Sequence, residues 1–217
     1  MLTLHTADAV LAGVPGAAAV AVDTGRIAAL GPYEELTAAY PTARVRRWPG
    51  LLTPGLRHPR AGELLERAYH PDPREAAELG TEPVTGAALE ALAPDGARWG
   101  GSARRGLQRL LAHGVTAVTG PFARPSVRIA VSRAGLRVRD AAPGAGPRSP
   151  DRPASLDPIA YAPPETLLDG PLAVGAPADF AVFAVPVDEP WPGALERLGA
   201  ASCVATVLAG RLVHRRS

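Results

Sequence analysis

The sequence predicts a mixed α+β protein, with β structure at both ends of the chain and an α/β segment in the middle. Three observations carry this. Residues 17–31 form a hairpin pattern, two short apolar runs around Asp23-Thr24-Gly25. Residues 102–119 read as an amphipathic helix, then His113-Gly114, then the β-branched run Val115-Thr116-Ala117-Val118-Thr119, a helix-to-strand unit. Residues 180–216 return to β, with the apolar run Phe180 to Val185 and a closing hairpin that turns at Ala209-Gly210.

In order along the chain, Ala7 to Leu11 is a short apolar run. The first hairpin follows, with a three-residue turn that puts Gly25 where positive φ is needed. Pro32 to Tyr40 reads as a helix that starts at a proline and stops before Pro41. Arg44 to Trp48 alternates like a strand. Leu51-Leu52-Thr53 is a short buried strand ended by Pro54-Gly55, where the chain turns and delivers Leu56-Arg57-His58-Pro59-Arg60-Ala61-Gly62. In an α/β enzyme, chemistry sits where such a strand stops.

Ala61 to Tyr69 has helical spacing, and His70-Pro71-Asp72-Pro73 breaks it. Pro73 to Leu79 and Gly86 to Leu92 carry short helical signals. Ser102 to His113 is the best helix, capped by Ser102, with Leu107, Leu110 and Leu111 on its apolar face. Pro125 to Ala134 reads as a helix and Leu136 to Arg139 as a strand. Residues 141–158 are rich in Pro, Gly and Ser and read as a linker. From Ile159 the chain reads as β again, and Trp191 to Leu198 as a helical insert.

At 217 residues with 47% hydrophobic content, the chain is long and apolar enough to bury a core and is not a disordered polymer. No apolar run reaches the ~18 to 20 residues of a membrane span. The first residues, Met1 to Asp8, carry no basic segment of a leader, and one cysteine allows no intrachain disulfide, so the chain reads as cytoplasmic.

All 23 basic residues are arginine. Codon bias accounts for that, so single arginines are weak evidence of phosphate ligands. Charge is nonetheless uneven: Arg98 to Arg152 carries +9 and the remainder −7. An Arg-rich anion surface is one reading, with local neutralisation by the acidic segment Glu63 to Asp95 as the plainer one. Nucleic acid is not expected, since no aromatic interleaving or known motif accompanies the arginines.

Three stretches together resemble one family. They are Val22 to Gly31 leading to Leu51-Leu52-Thr53-Pro54-Gly55-Leu56; His113 to Val118; and Val174-Gly175-Ala176-Pro177-Ala178-Asp179-Phe180-Ala181-Val182-Phe183 with Val204 to Val213. In this order they resemble the amidohydrolase superfamily, imidazolonepropionase and aminodeoxyfutalosine deaminase in particular. The resemblance implies a composite β-sandwich built from both termini (1–50 and 159–217). It implies between them a metal-dependent (β/α)₈ barrel that hydrolyses C–N bonds other than peptide bonds. Leu51 to Pro158 is 108 residues, against at least ~200 for such a barrel. The resemblance therefore implies a truncated, partial TIM-barrel-like remnant at 51–140. An open remnant leaves strand edges to be covered, so a homodimer or a pathway-enzyme partner is expected.

The resemblance also implies a His-x-His metal pair after the Pro-Gly strand. Its positions hold Arg60 and Gly62. An arginine keeps its proton and glycine has no ligand atom. The first expectation is therefore a catalytically degenerate, metal-free binding or partner protein, with no cofactor. The second is a small C–N hydrolase or deaminase with a rebuilt Zn or Fe site around His58, Glu63 and His70. The third is an anion-binding module in 98–152, with Gly101 and Ser102 offering helix-start N–H groups and Arg104 and Arg105 behind them. His113 and Cys203 read as structural, and Asp179 as shaping the turn before Phe180.

Overall fold

A computed structural model describes residues 2–13, 16–140 and 154–216. The chain divides into two units, one of residues 1–57, 111–116 and 157–217, the other of 58–110 and 117–156. The first unit is built from both ends of the sequence. The expected boundaries lay at 50/51 and 158/159, and this unit also takes in 51–57 and 111–116.

Strands β1 (Thr3–Thr6), β2 (Ala9–Val10), β3 (Ala19–Asp23) and β4 (Arg26–Gly31) are followed by α1 (Tyr33–Ala39) and β5 (Arg44–Arg47). The first sheet runs β4-β3-β1-β5, with β1 antiparallel to β3 and parallel to β5. The turn between β3 and β4 is shorter than the three residues expected from sequence. Asp23 pairs with Arg26, which leaves only Thr24 (φ 48°) and Gly25 (φ 82°) between the strands. Positive φ at both central residues matches the right-handed twist of the flanking strands. A β-branched residue is strained there. Thr24 is exposed, so Thr24→Asn should stabilise the chain by about 1 kcal/mol, read as a higher urea midpoint.

Strands β6 (Leu51–Pro54) and β7 (Leu56–His58) come next, then α2 (Ala61–Glu66). Pro54-Gly55 is thus a join between two strands rather than the turn expected. A 3₁₀ turn (Pro73–Glu75), α3 (Ala76–Leu79), α4 (Gly86–Leu92) and α5 (Gly96–Leu111) lead to β8 (Val115–Thr119), α6 (Pro125–Ala134) and β9 (Arg137–Arg139). Helix α5 starts six residues before Ser102. Its cap is Asp95, whose Oδ1 accepts the Arg98 N–H at 2.8 Å, so the expectation that Ser102 caps it is corrected. Linker residues 141–153 lie outside the described residues.

Residues 159–168, expected as β, lie in a 3₁₀ turn (Pro158–Ala160) and α7 (Pro164–Leu167) instead. Prolines at the first helical position preset the backbone for a helical turn. Strand β10 (Phe180–Phe183), α8 (Trp191–Leu198), β11 (Cys203–Leu208) and β12 (Arg211–Arg215) close the chain.

The second sheet of the first unit runs β12-β11-β10-β6-β2, so N-terminal β2 and β6 join C-terminal β10–β12. Val20, Val22 and Ile27 of the first sheet pack against Leu52, Phe180, Val182, Ala205 and Val207 of the second. That interleaving makes the composite sandwich. The outer face of the second sheet is covered too, with Leu51, Ala181 and Phe183 against Leu167, Ala194 and Leu195. This two-sided burial explains why β10 reads as an unbroken apolar run. Leu36 of α1 packs with Leu4, Ala19 and Ala21 on the outer face of the first sheet.

The remaining strands form a three-stranded sheet, β7-β8-β9, in which β8 and β9 are parallel with Ala117 opposite Arg137. Among the described residues none of the sheets closes into a barrel. Among the described residues no helix is long and apolar enough to cross a membrane.

Candidate functional site

His58 ends β7 and is fully buried. Its Nε2 donates to the Ser155 carbonyl at 3.0 Å and its Nδ1 accepts the Arg60 N–H at 3.2 Å. Both ring nitrogens are engaged by backbone, so neither offers a lone pair to a metal in this arrangement. Arg60 stands just before α2. Its Nε donates to Glu63 Oε1 at 2.8 Å, and its terminal nitrogen pairs with Glu63 Oε2. This two-pronged contact occupies both oxygens of Glu63. A β-carbon at Gly62 would meet only the Pro121 carbonyl oxygen, at 4.0 Å. There is space at 62 and no ligand to fill it.

His70 follows α2 and is buried. Its Nε2 donates to the Leu64 carbonyl at 3.0 Å, its backbone N–H donates to Ser102 Oγ at 2.9 Å, and Nδ1 has no hydrogen-bond partner. Gly106 of α5 leaves room for the ring, since a β-carbon there would lie 2.8 Å from Nε2. Burial, with Arg109 and Arg105 nearby and against the Leu64 bond, pulls the His70 pKa down to about 4. The ring is therefore neutral at pH 7.

His58, Glu63 and His70 do not converge. Among the described residues, no three His, Cys, Asp or Glu side chains gather as a metal ion needs. The structure does not bring the three residues named for a rebuilt metal site to one centre. A backbone-locked imidazole, an arginine-paired carboxylate and an imidazole turned to a helix carbonyl share no centre.

The residues named for an anion site are not at a helix start. Gly101 and Ser102 lie inside α5, where backbone N–H groups serve the helix rather than a ligand. Ser102 is buried and holds the His70 backbone. Arg105 donates through Nε to the His70 carbonyl at 2.8 Å and pairs with Asp72 at 3.0 Å. Arg104 is exposed.

Around these residues lies a polar network missed from sequence. Glu75 accepts from the Tyr69 hydroxyl at 2.8 Å, from Arg98 at 2.8 Å and from the Asp72 N–H at 2.8 Å. The Asp72 N–H above all holds the Glu75 carboxyl below its ordinary pKa. Asp72-Pro73-Arg74-Glu75 is a capping box, and that spacing was its available signal. A cleft of about 580 Å³ is lined by Glu66, Arg67, Leu89, Glu90, Trp99 and Arg124 among others. There the Arg124 guanidinium stacks 4.2 Å from the Trp99 ring centre.

In the composite unit, Cys203 is buried and burial pushes its thiol up to about 11, which suits a core residue and not a nucleophile. Asp179 accepts the Ala209 N–H at 2.6 Å and so fastens the closing hairpin.

Residues 18–43, which hold β3, β4 and α1, match the family model of the imidazolonepropionase-like composite domain, bacteria. The family resemblance read from sequence is borne out over that stretch. Ochratoxinase of A. niger is similar at 19% identity and TM-score 0.43, covering 64% of this chain and 31% of that one. Guanine deaminase from Bradyrhizobium japonicum is similar at 24% identity and TM-score 0.36, covering 55% and 27%. Helicobacter pylori aminofutalosine deaminase is similar at 16% identity and TM-score 0.40, covering 64% and 32%. The chain thus spans about a third, or less, of the length of these structures. No curated protein matches the chain.

Proposed function

We propose that this chain is an amidohydrolase-superfamily relative that has lost metal-dependent C–N hydrolysis and acts as a binding or partner protein. The carrying observation is the Arg60–Glu63 pair. It places a permanent cation where the resemblance calls for the first neutral imidazole, and it occupies the nearest carboxylate. Gly62 at the second position supplies no donor. His58 is backbone-bound through both nitrogens. The match over residues 18–43 supports the superfamily part of the reading. The reading places the chain in the cytoplasm, beside a working enzyme of the same pathway or a second copy.

Elemental analysis of protein purified without chelator is expected to find no stoichiometric Zn or Fe. Adding EDTA or Zn²⁺ should leave the thermal midpoint unchanged, because a metal bound only by the folded state would raise it. One metal per chain, lost in His58→Ala or His70→Ala, would overturn the reading.

A further inference from the structure

We propose that Arg44, Arg46 and Arg215, on two edge strands of the composite sandwich, bind a tetrahedral oxyanion, the phosphate group of a small molecule. The site lies within the composite unit and does not depend on the metal-free reading. Strand β5 ends the first sheet and β12 ends the second. Alternation puts Arg44, Arg46 and Trp48 on one face of the chain. That face looks into the sandwich: Arg46 lies opposite His5 in the parallel ladder, and the His5 ring meets Phe180 of the second sheet edge-on at 4.9 Å. Arg215 lies opposite Ala205, a residue of the inter-sheet core, so it too turns inward. Its guanidinium stands 5.9 Å from the centre of the Trp48 ring, and Trp48 packs against the same core. One rim of the sandwich thus gathers three guanidinium groups about one indole.

An arginine as such says little in a chain whose basic residues are all arginine. Missing countercharge singles these three out. Arg60, Arg98, Arg105 and Arg197 each meet a carboxylate. Among the described residues Arg44, Arg46 and Arg215 have neither an ion pair nor a side-chain hydrogen bond. Instead they act on one another. Burial first, then the charges of Arg44 and Arg215, hold the Arg46 guanidinium below its ordinary pKa. It is still a cation at pH 7, so the fold carries a repulsion that a bound anion relieves.

The number of forks selects the anion. A carboxylate brings one charge and two oxygens. A phosphate monoester brings nearly two charges at neutral pH and three acceptor oxygens, which suits three forked donors. Stacking on Trp48 steadies the Arg215 fork without using its N–H donors. The Trp48 Nε1–H is already given to His5 Nδ1 at 3.2 Å, so the donors for the ligand come from the arginines.

The test is calorimetric titration of the full chain with inorganic phosphate and with phenyl phosphate, at constant ionic strength in a phosphate-free buffer. One saturable site per chain is expected, with a dissociation constant of about 1 mM or below, and acetate should bind at least about tenfold more weakly. Equal binding of the two phosphates assigns the site to free phosphate and tighter binding of phenyl phosphate to an ester; either supports the site. Arg44→Gln and Arg215→Gln should each weaken phosphate at least about fivefold, while Arg133→Gln, in the other unit, should not. Without phosphate, Arg46→Gln should raise the urea midpoint, and with phosphate it should gain less than the parent. A misfolded variant would lose in both conditions, so it does not imitate that result. No saturable binding, acetate as tight as phosphate, or undiminished binding by a chain with all three arginines changed to Gln each overturns the proposal. Stoichiometric metal with phosphate binding intact would instead overturn the metal-free reading and leave this site standing.

Discussion

Gly55→Ala is expected to cost about 3 kcal/mol or more, enough to unfold much of the chain if its stability is ordinary. A β-carbon at Gly55 would stand 1.9 Å from Thr116 Oγ1, 2.4 Å from Cγ2 and 2.6 Å from Cβ. Turning the Thr116 side chain moves the first two atoms, while the third is fixed by the backbone of β8. Gly55 is equally held. Its N–H donates to the Asp179 carbonyl at 3.2 Å and its carbonyl accepts the Asp169 N–H at 2.8 Å. Thr116 is fully buried, so the strand has no solvent side to retreat to.

Thr116→Gly removes all three clashing atoms. The double variant should therefore be more stable than the two single losses predict, by at least about 1 kcal/mol of coupling. Urea unfolding of the four proteins measures this. A Gly55→Ala chain within about 0.5 kcal/mol of the parent, or a cycle without coupling, would show that β6, β7 and β8 are not packed as described.

That prediction also explains what the Pro54-Gly55 signal meant. From sequence it read as a turn, yet glycine is needed there for the close approach of two strands. Features were legible where the cause was local. The hairpin turns at Thr24-Gly25 and Ala209-Gly210 stand in the sequence because positive φ restricts residue choice. The apolar run Phe180 to Phe183 stands there because both its faces are buried. The start of α5 was hidden, since Gly96, Gly100 and Gly101 weaken helix propensity and only burial of Trp99 and Ala103 overrides them. Residues 159–168 misled because apolar residues spaced among prolines suit short helical turns as well as strands. At the candidate site, Arg60 and Gly62 could be read from the sequence at the two positions where the resemblance implies a His-x-His pair. The engagements of the histidines could not, because His58 meets Ser155 97 residues away and His70 meets Ser102 32 residues away.

Acid should destabilise each unit through one buried histidine, His5 in the composite unit and His70 in the other. Burial above all, with Arg46 adding to it, lowers the His5 pKa to about 3 from 6.5. Its Nδ1 accepts the Trp48 Nε1–H at 3.2 Å, and its ring meets Phe180 edge-on at 4.9 Å, so a proton there would break a hydrogen bond inside an apolar pocket. For His70 the value is about 4, again mainly from burial. A histidine whose pKa is lower folded than unfolded leaves the unfolded chain holding more protons between the two values. Its contribution is complete above pH 6.5 and is lost as pH falls from there to about 4 for His70 and about 3 for His5. Each can remove up to about 1.4 kcal/mol per pH unit in that window. Urea unfolding at pH 8, 6 and 5 should show the fall, and His5→Gln and His70→Gln should each flatten it, even where they lower stability at pH 8. Carboxylates titrate in every variant alike, so the difference in slope isolates the histidine. A His70→Gln chain that follows the parent's slope between pH 6.5 and 5 would mean that the ring takes up its proton in the fold as readily as in water.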